Sequence, residues 1–430
     1  MTAPAEDELK TALVQLRAQY TSLGINKLHT VLLTEHPDWT VSEKRTRRIL
    51  QAEGLVLGGL KREPIASDVL TPASKVIPGL DTTKWSKRIE VKYFNRQKGK
   101  GLVATERIPQ GDVLWKEDPF ILAPEWEIYD LQAASGACGY CSTPIQSLIN
   151  PMLSLRCEGA SQTPSCNARF CNRLCLSRSG KTHPLLCPAQ NPASITLLRY
   201  AQINQWQALH ALSQCTARLL LAEQQDEHMF QEDWNIVSGL AQLGMEERAK
   251  GGWLGNSEPD RATWKKAHEL YTQAFKAPAK DTEKRKLAKI LKKPVRADLA
   301  AELFEYDGFL RGLGRMNLNL ESHGGLYVMH SHVNHSCDPN VSVRHLDQRS
   351  ALSRITMVAV RDIEVGEELF ITYTNPKMSL EIRRKHLLEW GFGKCNCSRC
   401  VTEEKDPART VEPAVPDDLE AELKAGLGVM

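Results

Sequence analysis

The 430-residue chain lacks any long hydrophobic run. No stretch approaches the ~18 consecutive apolar residues of a membrane-spanning helix, so no membrane association is expected. It also lacks an excess of either charge: 55 Lys and Arg against 52 Asp and Glu give a formal net charge of +3. Overall charge therefore offers no argument for nucleic acid. The opening Met-Thr-Ala-Pro has neither an apolar signal core nor an Arg-rich transit pattern. The expectation is an intracellular protein, nuclear and/or cytoplasmic. Internal repeats are absent too. A composition 42 % hydrophobic and 25 % charged argues against disorder and against a fibre. What stands out is twelve cysteines. In a reducing compartment these are unlikely disulfides, and metal binding is the next reading.

The pattern along the chain changes several times. Residues 1–60 read as a small helical unit, with Leu9, Leu13, Leu16 and Tyr20 at helical spacing. A second helix runs from Ile25 to Glu35, and Thr40 or Ser42 caps a third that ends near Gly54. Residues 61–86 form a linker carrying Pro64, Pro72 and Pro78. Short strands are expected in 87–135, and residues 136–188 hold seven of the cysteines. Residues 189–320 read as helical, 321–378 as strands again, including "GLYVMH", and 379–390 as a last helix. The tail 402–430 is acidic. The fold class expected is α+β.

The first cysteine cluster is Cys138-x2-Cys141, Cys157, Cys166, Cys171-x3-Cys175 and His183-x3-Cys187. Eight ligands make two tetrahedral zinc sites, which hold together a peptide too short to form its own core. The interleaved order suggests a cross-brace: Cys138, Cys141, Cys171 and Cys175 on one ion, Cys157, Cys166, His183 and Cys187 on the other. Scattered buried thiols are the bland alternative, and Cys157-x8-Cys166 is the loose element of the scheme. The second cluster, Cys395-x-Cys397-x2-Cys400, needs a fourth ligand. Cys337 is the candidate, because Cys215 sits in an apolar helical stretch and reads as a core thiol. Three zinc ions result.

Three other segments carry chemistry. "KGKGL" sets Gly99 and Gly101 between strands, where backbone can approach a ligand closely. "NHSCDPN" spans Asn334–Asn340, and "GEELFITY" ends in Tyr373, followed by "EWGFGKCNCSRC". In this order they resemble the SET-domain protein lysine methyltransferases. The eight-ligand insertion resembles a MYND zinc finger, and the combination is similar to the fungal histone-methylating branch of the SET–MYND family. On that resemblance 87–135 is the first part of the SET domain, 136–188 the MYND finger, 189–320 a helical insert, 321–378 the catalytic core and 379–401 the post-SET zinc segment.

The resemblance implies roles at matching positions. Lys98, Gly99, Lys100 and Gly101 would lie along S-adenosylmethionine. Asn334 and His335 would meet its two ends, and Phe392 would stack near its adenine. Asn317 or Asn319 would add a hydrogen bond. Tyr373 would line the junction of cofactor and lysine channel, with Trp390 in the channel wall. The family departs from this sequence after the tyrosine, where Thr374 and Asn375 replace an Asp common in other members. The implied reaction moves a methyl group from a sulfonium to a lysine amine, and no carboxylate general base stands out. The partner would be a protein lysine, histone H4 foremost or else a ribosomal or other protein, and the enzyme a monomer.

Two rivals remain at this level. One is a non-enzymatic zinc-finger adaptor. The other is a DNA-binding regulator, because 25–55 is similar to the helix-turn-helix of transposase-type proteins, with Lys44, Arg45, Arg47 and Arg48 on its third helix. A solvated basic helix is the plainer reading of that segment. It is also the plainer reading of the Lys-rich 280–296.

Overall fold

The computed structural model describes residues 4–20, 25–52, 71–148, 150–255, 258–347, 351–391 and 393–406. The chain divides into two compact units, Met1–Val69 and Leu70–Met430. Phe392, residues 61–70 of the expected linker and most of the acidic tail lie outside the described residues.

Among its described residues the first unit has three helices: α1 Glu6–Gln19, α2 Ile25–Glu35 and α3 Glu43–Ala52. Leu9, Leu13 and Leu16 of α1 share a face by their 3–4 residue spacing, and they bury against Leu28, Leu32, Ile49 and Leu50. Ser42 Oγ accepts the Arg45 amide at 3.3 Å and so caps α3. Three of the four basic residues on α3 are engaged within the unit. Arg45 donates to the Pro4 carbonyl, Arg47 pairs with Glu43, and Arg48 pairs with Glu6.

The second unit mixes short strands with a helical layer. Its strands are β1 Ile89–Asn95, β2 Gly99–Ala104, β3 Val113–Glu117, β4 Ile121–Leu122, β5 Leu155–Arg156, β6 Arg169–Phe170, β7 Gly325–Leu326, β8 Asn334–His335, β9 Val341–Arg344, β10 Ile355–Ala359 and β11 Phe370–Ile371. β1 and β2 form an antiparallel hairpin whose register shifts between Tyr93 and Asn95. β3, β10 and β9 make an antiparallel sheet in that order. β8 and β11 pair in parallel, Phe370 opposite Asn334 and Ile371 opposite His335. Leu102, Trp115, Val341, Ile355, Met357 and Ile371 form the core of this β-rich part.

The expected strand "GLYVMH" pairs only at Gly325–Leu326. Beyond it the amides of Met329 and His330 donate to the buried Glu117 carboxylate, at 2.8 and 3.2 Å, rather than to a strand. The chain then turns through His330–His332 and enters β8. Residues 71–86 have no long element yet are packed: Ala73 bridges Gln242, and Ile77 is buried.

Eight helices occupy 194–319. Gln207–Gln225 is buried on most sides and carries Cys215 in its core, as expected; burial pushes that thiol up to about 12. Asp226 and Asp260 cap the helices that follow them by accepting the Met229 and Thr263 amides. The helix Tyr306–Asn319 packs closely because Gly314 has no side chain: a Cβ there would sit 1.8 Å from the Leu243 carbonyl oxygen. This contact delivers residues 318–322 to the site.

Candidate functional site

The glycine hairpin is the first wall. Gly99 adopts φ +74°, a left-handed conformation that suits glycine at the hairpin turn. At Gly101 a Cβ would lie 2.7 Å from Phe94 Cε2, 2.9 Å from Asn334 Nδ2 and 2.9 Å from Glu368 Oε1. Glycine therefore lets β2 close onto "NHSCDPN". Asn334 Nδ2 donates to the Lys100 carbonyl at 3.0 Å and to Glu368 Oε1 at 2.8 Å. The Lys98 ammonium pairs with the other Glu368 oxygen and sits 4.2 Å from the Phe94 ring centre. Lys100 is buried, 3 % exposed, with Nζ donating to the Gly239 carbonyl. Burial pushes its pKa down to about 7.

The parallel β8–β11 pair forms the second wall. It brings His335 beside Tyr373, whose amide donates to His335 Nδ1 at 3.0 Å. With Nδ1 accepting, the ring proton resides on Nε2, 3.3 Å from Cys337 Sγ, so the imidazole donates toward that sulfur. The Tyr373 hydroxyl donates to the Val333 carbonyl at 2.7 Å, and its ring lies 4.4 Å from that of Trp390. Burial, and after it the Glu321 and Glu368 charges, push the phenol up, so it stays protonated around neutral pH.

Lys98, Lys100, Asn334, His335, Tyr373 and Trp390 line a single cavity of about 1110 Å³. That exceeds the roughly 300–1,000 Å³ of a typical small-molecule site, leaving room for two ligands. Gly99 and Gly101 stand behind the wall rather than in it. Asn319 is in the wall, but its amide is engaged: Nδ2 donates to the Ala241 and Arg315 carbonyls, and Oδ1 accepts from the Ala241 amide. Asn317 points elsewhere, to Glu258 at 3.2 Å. The expected asparagine contact is thus spent on fixing the helix end.

Three groups of four potential metal ligands are assembled: Cys138, Cys141, Cys171 and Cys175; Cys157, Cys166, His183 and Cys187; Cys337, Cys395, Cys397 and Cys400. Within each, the ligand atoms lie within 4.8 Å of one another. Contacts run from 3.3 Å (Cys141–Cys171) to 3.8 Å (Cys157–Cys187). Zinc–sulfur bonds of about 2.3 Å at tetrahedral angles require sulfurs roughly 3.8 Å apart, so the donor sets fit zinc.

Several residues here carried no sequence signal. Arg383 is fully buried and donates to Glu403 at 2.5 Å, with Nη2 3.8 Å from Cys400 Sγ. Arg399 donates to Glu403 and to the Cys337 and Pro376 carbonyls. These cations offset clustered thiolates and tie the last cysteines to "NHSCDPN". Glu368, within "GEELFITY", joins the hairpin to Asn334, and Glu321 and His330 line the cavity.

A family model of the SET domain matches residues 99–374. The histone-lysine N-methyltransferase SET5 of Yarrowia lipolytica is 30 % identical over 96 % of this chain and 86 % of its own. The protein of the same name from Mycosarcoma maydis is 29 % identical over 98 % and 94 %. A solved SET domain of LSMT bound to lysine and AdoHcy covers 70 % of this chain and 52 % of its own at 12 % identity, with a TM-score of 0.34. The chain belongs to the SET-domain family and is a protein-lysine N-methyltransferase.

Proposed function

We propose that the protein transfers methyl groups from S-adenosylmethionine to lysines of histone tails, histone H4 foremost, in the nucleus. On this reading 136–188 is a MYND-type finger with two zinc ions, and a third zinc closes the post-SET segment 379–401 on Cys337. One observation carries the proposal: Lys98 and Lys100 of the hairpin, Asn334, His335, Tyr373 and Trp390 meet at one cavity large enough for a methyl donor and a lysine arm. The two fungal relatives, named for histone lysine methylation and similar along nearly the whole chain, support the substrate class.

When bound, S-adenosylmethionine supplies an activated methyl group on a sulfonium. The chain supplies position and environment. Lys98, Lys100, Asn334 and His335 would hold the donor, and Tyr373 and Trp390 would line the amine's approach. A lysine in water has a pKa near 10.4 and is almost wholly protonated at neutral pH. A buried aromatic wall disfavours the ammonium form, which exposes the nitrogen lone pair. Tyr373, protonated and anchored on Val333, keeps its oxygen in place as an acceptor for the amine. Fixed alignment of reacting groups is worth several kcal/mol.

The test is labelling of core histones and of total cell protein with labelled donor, followed by mass spectrometry. Label on a histone H4 tail lysine is the expected result. Label confined to a ribosomal protein would replace the histone assignment and leave the chemistry standing.

A further inference from the structure

The cavity wall contains a carboxylate–imidazole pair outside the donor-binding residues named above. Glu321 follows the helix Tyr306–Asn319, and His330 opens the short turn before β8. Both line the cavity together with Tyr373. The Glu321 carboxylate touches His330 Nε2, the two side chains being 14 and 8 % exposed. Nδ1 of the same ring is buried with no hydrogen-bond partner among the described residues. The pair is fixed near the reacting end. The His330 carbonyl accepts the Val333 amide at 2.9 Å, and the Val333 carbonyl accepts the Tyr373 hydroxyl. The Glu321 amide donates to the Gly325 carbonyl at 2.9 Å.

Charge decides what such a pair is for. Lys98, Lys100, Arg361, Lys377 and Lys394 all line the cavity, against two acids, Glu321 and Asp338. Lys98, Arg361 and Lys394 are each paired with a carboxylate behind the wall, Glu368, Glu367 and Glu404, so the carboxylates of the lining itself that an incoming ammonium can meet are Glu321 and Asp338. Asp338 belongs to the turn after Cys337, whereas Glu321 has a buried histidine in contact.

We propose that Glu321 is the carboxylate that recognises the target lysine's ammonium, with His330 as its resting counter-ion. This rests on the lysine-methyltransferase reading. A lone buried carboxylate would bind the ammonium firmly and hold it protonated, which slows attack. His330 limits that grip: the site attracts the charged lysine without trapping it. Burial works against ionisation of Glu321, but contact with His330 holds its carboxyl down to about 2. Around the pair stand Glu117 under the His330 amide, His323 and His345 with ring centres 4.2 Å apart, and the phenols of Tyr327 and Tyr373.

The test uses the full-length, zinc-loaded protein and the variants Glu321→Gln and His330→Asn, with circular dichroism and zinc content checking the fold. Loss of a hydrogen bond to a charged group predicts that Glu321→Gln raises KM for protein substrate about ten- to a hundredfold, with S-adenosylmethionine affinity unchanged. His330→Asn is expected to lower KM and move the acid limb of the rate profile to higher pH. A probe independent of turnover is n-butylammonium, a copy of the lysine end. It should bind donor-loaded wild type more tightly than n-butanol does, lose that preference in Glu321→Gln and gain in His330→Asn. An unchanged KM and amine preference in Glu321→Gln overturns the proposal. If that variant does not fold, a weakened amine preference in His330→Asn overturns it. Wild type that labels no protein would strike the proposed function, while the amine preference still judges Glu321.

Discussion

Replacing Gly101 by Ala tests whether the hairpin and "NHSCDPN" act as one donor-binding wall. The added methyl group would arrive 2.7 Å from Phe94 and 2.9 Å from both Asn334 Nδ2 and Glu368 Oε1. All three are side-chain atoms, so the variant can fold by moving them. Moving them breaks the Asn334–Glu368 bond and loosens the one to the Lys100 carbonyl. Overpacking of this kind costs about 1–3 kcal/mol. Most of it should fall on binding, because Asn334 and Lys100 face the cavity. At 1.4 kcal/mol per decade, S-adenosylmethionine affinity should drop about ten- to a hundredfold in calorimetry. Tm should fall by only a few degrees, and zinc content should not change. Gly111→Ala is the control: its φ of +86° makes alanine strained, but no atom lies within 4 Å of the new Cβ. It should cost stability and leave donor affinity alone. Wild-type affinity in Gly101→Ala, or an equal loss in Gly111→Ala, would refute the reasoning.

Further outcomes are expected. Tyr373→Phe should lower kcat by about a hundredfold while costing roughly 1 kcal/mol of stability for the lost bond to Val333; near wild-type turnover removes its role. Atomic absorption should find three zinc ions per chain, and Cys337→Ser should leave two and abolish donor binding. Lys100→Met should raise Tm most at pH 7 and below. Lys100, pushed down to about 7 by burial, binds fewer protons folded than unfolded between pH 7 and its ordinary pKa near 10.4. Its charging penalty is therefore full below pH 7 and fades as pH rises toward 10. The gain should be about 1–3 kcal/mol at pH 7 and should shrink at pH 10; a gain that grows with pH would contradict the sign.

Parts of this molecule were legible from spacing alone. The α1 leucines follow from local periodicity and the α3 cap, narrowed to Thr40 or Ser42, from local residue chemistry, neither of which needs tertiary information; the structure selects Ser42. Sulfur chemistry made the cysteine grouping legible: eleven thiols and one imidazole fall into three fours, with Cys215 left in an apolar helix. The strand at "GLYVMH" was not legible beyond Leu326, because a carboxylate 212 residues away captures its amides. Nor were Glu321 and His330, nine residues apart and each unremarkable alone. Their meaning comes from sharing a cavity wall, which only the packed helix end and the turn before β8 provide. The asparagines near 317–319 show the converse, a plausible ligand pattern consumed by structure.

The cavity has a consequence for how the enzyme comes into being. Its lining runs from Pro72 to Ser398. The hairpin wall rests on Glu368, 270 residues beyond Lys98, and Cys337 meets its partners only after Cys400. Contacts of such long sequence separation form late and slowly. A ribosome-bound chain, or a fragment clipped before residue 400, thus carries the hairpin, the first two cysteine groups and the helices without a complete site. The site is complete only once Cys395, Cys397 and Cys400 have met Cys337, in the turn after β8.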